Sequence, residues 1–182
     1  VTLGLSSMAY LIFADIPLVV IPQKMYAGMD SFVLLCIPGF ILAGNLMNSG
    51  GITERIVRFA NALVGWMRGG LAQANIAASM LFGGVSGTAV ADVASVGGMM
   101  IPGMKKVGYP APFAAAVTAA SSTVGPMIPP SVPMIIVGSL SGLSVGKLFL
   151  AGAVPGLMLG FAMMIATYFI ARRRNFPREP WQ

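Results

Sequence analysis

The chain has 182 residues, is 57% hydrophobic and only 9% charged, and carries a formal net charge of +6 with a mean hydropathy of +0.85. Soluble domains hold about 25% charged residues, so the composition excludes an ordinary soluble fold and reads as an integral membrane protein set in a lipid bilayer. One cysteine, Cys36, leaves no internal disulfide, and the absence of histidine removes the commonest general base.

Basic residues fall between the apolar runs. Arg55, Arg58 and Arg68 form one cluster, Lys105 and Lys106 a second, and Arg172, Arg173, Arg174 and Arg178 a third, with Lys24 and Lys147 apart. Putting the three clusters on the cytoplasmic face satisfies the positive-inside rule. The basic excess therefore reports topology and not a nucleic-acid partner.

Spanning a ~30 Å hydrocarbon core at 1.5 Å per residue takes about 20 residues. The chain opens on Val1 with no recognisable secretory leader, which reads as a fragment or a processed chain. Residues 3–21 then form a first crossing outward to Lys24, with Asp15 before Pro17 ending that helix, and residues 31–47 cross back. Thr53 is placed to cap an amphipathic interfacial helix over residues 54–67, with Arg55 and Arg58 on one side and Ile56, Phe59, Ala60 and Leu63 toward bilayer or protein.

Residues 71–104 carry one charge, Asp92, and lie between two clusters assigned to the same side. The segment must enter the membrane and return. Its limbs, 71–82 and 89–104, are short, and GGVSGT between them is flexible and hydroxyl-bearing, so a re-entrant helical hairpin is expected. Residues 112–140 cross outward through SSTVGPMIPPSVP, where Pro126, Pro129, Pro130 and Pro133 interrupt the helix. Each proline lacks the N–H that would bond the carbonyl four residues back, which frees the carbonyls of Ser122, Gly125, Pro126 and Pro129. Broken helices persist at membrane depth only where they are buried or line a cavity, and free carbonyls beside hydroxyls suit a sodium ion. Residues 147–170 cross inward, and 175–182, with Pro177 and Pro180, form a terminal loop.

Other chemistries fail on residue types. Gly84-Val85-Ser86-Gly87 matches a serine-protease pattern but lacks its histidine. No transition-metal set and no phosphate-binding loop is present, so neither metal catalysis nor ATP-driven transport is encoded. Ser86, Thr88, Ser121, Ser122, Thr123 and Ser131 suit close helix packing as well as ion binding. Asp92 suits a helix cap as well as a functional group lying behind the ion's direct ligands, while Asn45 and Asn48 suit packing.

The motif GGVSGTAVADVASVGGMMIPGMKKVGYP, followed by FAAAVTAASSTVGPMIPPSVPMIIVG and SVGKLFLAGAVPG, resembles the large membrane subunit of tripartite ATP-independent periplasmic (TRAP) transporters, as does FILAGNLMNSGGITERIVRFANALVGWMRGGLA upstream. The resemblance spans nearly the whole chain. It implies no enzyme but a sodium-driven importer of organic acids, working with a periplasmic substrate-binding protein and a small membrane subunit, multi-pass in a bacterial or archaeal cytoplasmic membrane. It places sodium on Ser86, Gly125, Ile128 and Pro130, with no organic cofactor, and leaves Thr88, Asp92, Ser121, Ser122, Thr123 and Ser131 for substrate or the layer behind the ion.

The expected fold is all-α and membrane-integral: one half of an inverted-repeat, elevator-type transporter, since the family subunit is about twice as long. Residues 1–70 form a scaffold-like part, 71–143 the transport half, and 144–182 a further span with a basic tail. A non-transporting scaffold subunit and a passive channel component remain the alternatives.

Overall fold

The computed structural model describes residues 2–29, 34, 36–174 and 176, and every regular element among them is a helix. The expected start of the second crossing at Ser31, Arg178 and most of the terminal loop lie outside the described residues. Two compact units divide the chain, Val1–Leu35 and Cys36–Gln182.

In the first unit the expected single crossing over residues 3–21 is replaced by two helices, α1 (Thr2–Phe13) and α2 (Val20–Met29). Asp15 is the reason. It stands at φ 52, a left-handed conformation that a short polar side chain tolerates. Its own N–H bonds the Ile12 carbonyl and the N–H of Ile16 reaches back to Leu11, the paired closure that ends a helix. Lys24 consequently lies inside α2 and not in a loop after a crossing.

The second unit begins with α3 (Cys36–Ser49) and α4 (Ile52–Val64). Thr53 is not the cap of α4: Gly51, at φ 73, turns the chain, and Thr53 is fully buried inside the first turn. Ile56, Val57, Ala60 and Val64 pack inward, whereas Phe59 and Leu63 are exposed beside Arg58. Arg58 and Glu54 pair at 2.7 Å on the open face, an i,i+4 contact worth only a few tenths of a kcal/mol.

Helix α5 (Gly70–Ser86) is the centre of this unit and packs against α3, α4, α8 (Ala111–Ser122) and α10 (Val145–Arg173). Its alanines, glycines and serines let four neighbours approach at once, as small residues do between membrane helices. The chain turns at Gly87 and returns through α6 (Ala89–Asp92), a π-helical turn (Val93–Gly97) and α7 (Gly98–Lys106), which also contact α5. A helical hairpin is thus present, its first limb longer than expected.

The next run breaks where the prolines require. Helix α8 ends at Ser122, a short 3-10 turn covers Gly125–Met127, and α9 (Val132–Ser141) restarts behind Ser131. Helix α10 then presents Gly152, Gly156 and Gly160 at four-residue spacing. A side chain at Gly152 would strike Met134 of α9 and crowd the Met127 carbonyl of the break, one at Gly156 would crowd Ile128 and Met127, and one at Gly160 would strike Met80 of α5. Past α7, Tyr109, Phe113 and Phe176 stack at the far end of α10, with the Arg174 guanidinium 6.0 Å above the Phe113 ring.

Polarity is arranged inside out. Gln73, Asn75, Ser79, Asp92, Thr118 and Ser121 are fully buried, while Val90, Leu140, Leu150, Phe161 and Phe169 are exposed. Two stretches, Ala111–Ser141 and Val145–Arg173, are long and apolar enough to cross a membrane, the first carrying the break. Only 11% of the most apolar window in Val145–Arg173 is buried, unlike the core helix of a soluble fold.

Candidate functional site: the hairpin tip on the broken helix

The hairpin tip lies directly on the proline break. Gly83 of α5 and Gly125 of the break meet backbone to backbone, so closely that no Cβ fits at Gly83. A methyl group at Gly87 would stand 2.7 Å from the Pro130 carbonyl oxygen, and one at Gly84 3.5 Å from that of Pro129. Glycine at 87 also supplies the left-handed φ of 62 that the turn demands. The Val132 N–H donates to the Gly87 carbonyl at 3.4 Å and ties the two elements together.

Carbonyl accounting corrects part of the sequence expectation. The Gly125 carbonyl accepts the Ile128 N–H at 3.2 Å, and the Pro126 carbonyl accepts the Ser131 hydroxyl, so the break itself satisfies two of the four freed groups. Pro129 fits the expectation, because Pro133 has no N–H to give it. Pro130 is freed by a different route: the Met134 N–H that a continued helix would send to it goes to the Ser131 hydroxyl instead. Among the described residues nothing donates to the Pro129 or Pro130 carbonyl, and both oxygens border the glycines of the tip.

Ser86 ends α5 here, nearly buried, its hydroxyl 3.4 Å from the Thr88 carbonyl. Thr88 caps α6 by accepting the Ala91 N–H at 3.3 Å, which leaves Asp92 inside the helix and not at its cap. The tip and break therefore gather Ser86, Thr88, Gly125, Ile128, Pro130 and Ser131, all oxygen donors through hydroxyl or carbonyl.

Ser121, Ser122 and Asp92 belong to a second, neighbouring group. Ser79 and Ser121 share a hydrogen bond of 3.0 Å, Asn75 donates to Thr118 at 2.6 Å, and Ser79 and Ser122 face the Asp92 carboxyl. Thr123 joins neither: it is exposed and donates to the Ala120 carbonyl. Sequence reasoning missed Asn75, Ser79 and Thr118, and also the glycines 83, 84 and 87 as contact surfaces.

The profile of the family described as "Tripartite ATP-independent periplasmic transporter, DctM component" matches residues 1–182. The chain belongs to that family. TRAP DctM components are parts of transporters and not enzymes. Similar proteins include the sialic acid TRAP transporter large permease of Vibrio cholerae, 49% identical over 158 residues, covering 87% of this chain and 37% of that protein. The C4-dicarboxylate large permease of the same organism is 44% identical over 183 aligned residues, covering 100% of this chain and 40% of its own length. The 2,3-diketo-L-gulonate large permease of Escherichia coli is 43% identical over 176 residues, covering 97% and 41%. The chain thus spans about two fifths of the length of these three permeases.

Proposed function

We propose that the chain forms one half of the large permease subunit of a sodium-coupled TRAP transporter that imports organic acids across a bacterial or archaeal cytoplasmic membrane. A periplasmic binding protein delivers the substrate, and a small membrane subunit completes the assembly. Sialic acid, C4-dicarboxylates and 2,3-diketo-L-gulonate, named for the similar permeases, are all organic acids, and this supports the substrate class. The observation that carries the ion reading is the pair of unpartnered proline carbonyls set against the hairpin tip. A non-transporting scaffold gives no reason for that arrangement.

In this reading α5 to α7 form a hairpin that re-enters the membrane, with Ser86 at its tip. The Ser86 hydroxyl and the carbonyls of Gly125, Ile128 and Pro130 would hold the sodium. Its positive charge would offset that of a carboxylate substrate and so lower the cost of carrying it through a low-dielectric core. Residues 71–143 act as the moving half of an elevator, residues 1–70 as scaffold, and 144–182 as a span with a basic cytoplasmic tail.

Sodium-dependent uptake of a C4-dicarboxylate or sialic acid, measured on a reconstituted full-length permease with its partners, tests this. Ser86→Ala removes one ligand oxygen and should raise the sodium concentration for half-maximal uptake about tenfold, equivalent to about 1.4 kcal/mol. An unchanged sodium dependence would refute the assignment of Ser86.

A further inference from the structure

Between the segment that follows α4 and the helix α10 lies a groove that the transport reading does not use. An apolar trough of 450 Å³ runs along α10, lined by Phe161, Met164, Ile165, Tyr168 and Phe169, with Met67 on its other side. At one end it meets a smaller hollow of 300 Å³ that shares Met67 and Tyr168 and adds Trp66 and Arg68. The two form one continuous feature, apolar along its length and basic at its mouth.

Its walls are held in place. Gly69 packs so closely on α10 that a Cβ there would stand 2.6 Å from the Ala171 methyl, and Gln73 of α5 donates to the Met164 carbonyl at 2.8 Å. The Trp66 indole N–H donates to the Leu63 carbonyl at 3.0 Å, which fixes an exposed aromatic ring at the mouth. Charge gathers at the same end. Arg58 is paired with Glu54, whereas half-buried Arg68 has no carboxylate within ion-pair distance among the described residues. Arg172 and Arg173, both exposed, follow Tyr168 and Phe169 by one helical turn on the same side of α10.

Length decides what kind of molecule fits. The trough runs from Phe161 to Phe169, about 12 Å of helix at 1.5 Å per residue, close to one leaflet of a ~30 Å hydrocarbon core. A spanning helix of a partner needs a contact face through both leaflets, whereas an acyl chain needs only one. Tryptophan and tyrosine collect at the headgroup level of a bilayer, where Trp66 and Tyr168 flank the mouth. The positive-inside rule assigns the Arg68 and Arg172 clusters to the cytoplasmic leaflet, whose acidic headgroups bind basic pockets between membrane helices.

We propose that this groove binds an anionic phospholipid of the cytoplasmic leaflet, with an acyl chain along Phe161, Ile165 and Phe169 and the phosphate at Arg68. Arg172 and Arg173 add attraction for a headgroup of net negative charge. A zwitterionic lipid offers the same chain and phosphate but brings a cation that the arginines repel. The bound lipid ties the segment after the amphipathic helix to the long span. This site depends on the bilayer setting and on neither sodium nor substrate.

Native mass spectrometry of a delipidated full-length permease containing this chain, titrated with dioleoyl phosphatidylglycerol or dioleoyl phosphatidylcholine, tests the site without reference to uptake. The tightest binding event should favour phosphatidylglycerol. Arg68→Gln should weaken that event about fivefold, the worth of one cation at an acidic membrane surface, and leave phosphatidylcholine unchanged. Ile165→Trp, which fills the trough, should weaken both lipids, and Lys105→Gln, a charge on the same side but outside the groove, should change neither. Equal binding of the two lipids by the wild type would overturn the proposal. So would a loss with Lys105→Gln equal to that with Arg68→Gln, since the attraction would then be diffuse, or an Ile165→Trp protein that binds as the wild type does. Displacement of phosphatidylglycerol by inorganic phosphate would overturn it in favour of a free-anion site. Should Arg68→Gln fail to fold, Arg172→Gln takes its place, and an unchanged phosphatidylglycerol affinity in that variant would refute the site.

Discussion

Single glycines decide whether the tip seats on the break. No Cβ fits at Gly83 against the Gly125 backbone, whereas one at Gly84 would meet Ile128 and Pro129 only at ordinary contact distance. Gly83→Ala should cost about 1–3 kcal/mol, as overpacking does, and weaken the sodium response with it, while Gly84→Ala should leave both near wild type. Thermal unfolding beside sodium-dependent uptake measures the two effects. These glycines were legible as flexibility within GGVSGT but not as surfaces, because only the fold brings position 83 to position 125. Ser79 and Asn75 were hidden for a related reason: in an alanine-rich helix a lone polar residue reads as packing, and its meaning comes from Ser121 and Thr118, more than forty positions away.

The elements themselves were more readable. Prolines announced the interruption after Ser122, and GGVSGT announced the turn, since both signals are local. Local satisfaction of the break was not readable: the Ser131 side chain takes the Met134 N–H and gives its own proton to Pro126, two bonds joining residues on either side of the proline pair. Ser131→Ala should destabilise the start of α9 by about 1–2 kcal/mol and speed amide exchange at Met134, read by hydrogen-exchange mass spectrometry. Helix α10 makes the converse point. Its apolar length predicted a span, yet the glycine stripe that holds Met127 and Ile128 in place carries no length or charge signal. Gly156→Leu should disturb the break far more than Gly98→Leu, whose added atoms enter open space. Sodium protection of residues 125–131 from exchange would distinguish them.

The second unit buries Gln73, Asn75, Ser79, Asp92, Thr118 and Ser121 beside Phe82, Ile76 and Met104 while leaving many large apolar side chains outside, a distribution that water penalises and a bilayer accepts. The basic clusters supply the orientation. Cysteines at Arg68 and Lys105, in a background lacking Cys36, should label from the cytoplasmic side, and one at Lys147 from the other. Labelling of positions 68 and 105 from opposite faces would make residues 71–104 a crossing and remove the re-entrant hairpin. Expressed alone, the chain should insert in the membrane without supporting uptake, because it carries one tip and one break; sodium-dependent uptake by these 182 residues would show that no opposing half is needed.

The π-helical turn at Val93–Gly97 gives the returning limb a built-in phase offset. One residue more than an α-turn has been wound in there, and each residue is worth about 100° of azimuth. Removing one residue, for instance Ala94, would let the limb run as regular α-helix and swing residues 89–92 round by that angle relative to α7. Asp92 would still be present but would look away from Ser79 and Ser122. Such a deletion should therefore loosen the packing of the hairpin on α8 and lower the thermal unfolding temperature of the full-length permease, although every polar residue of the seam is kept, separating the bearing of the carboxyl from its mere possession.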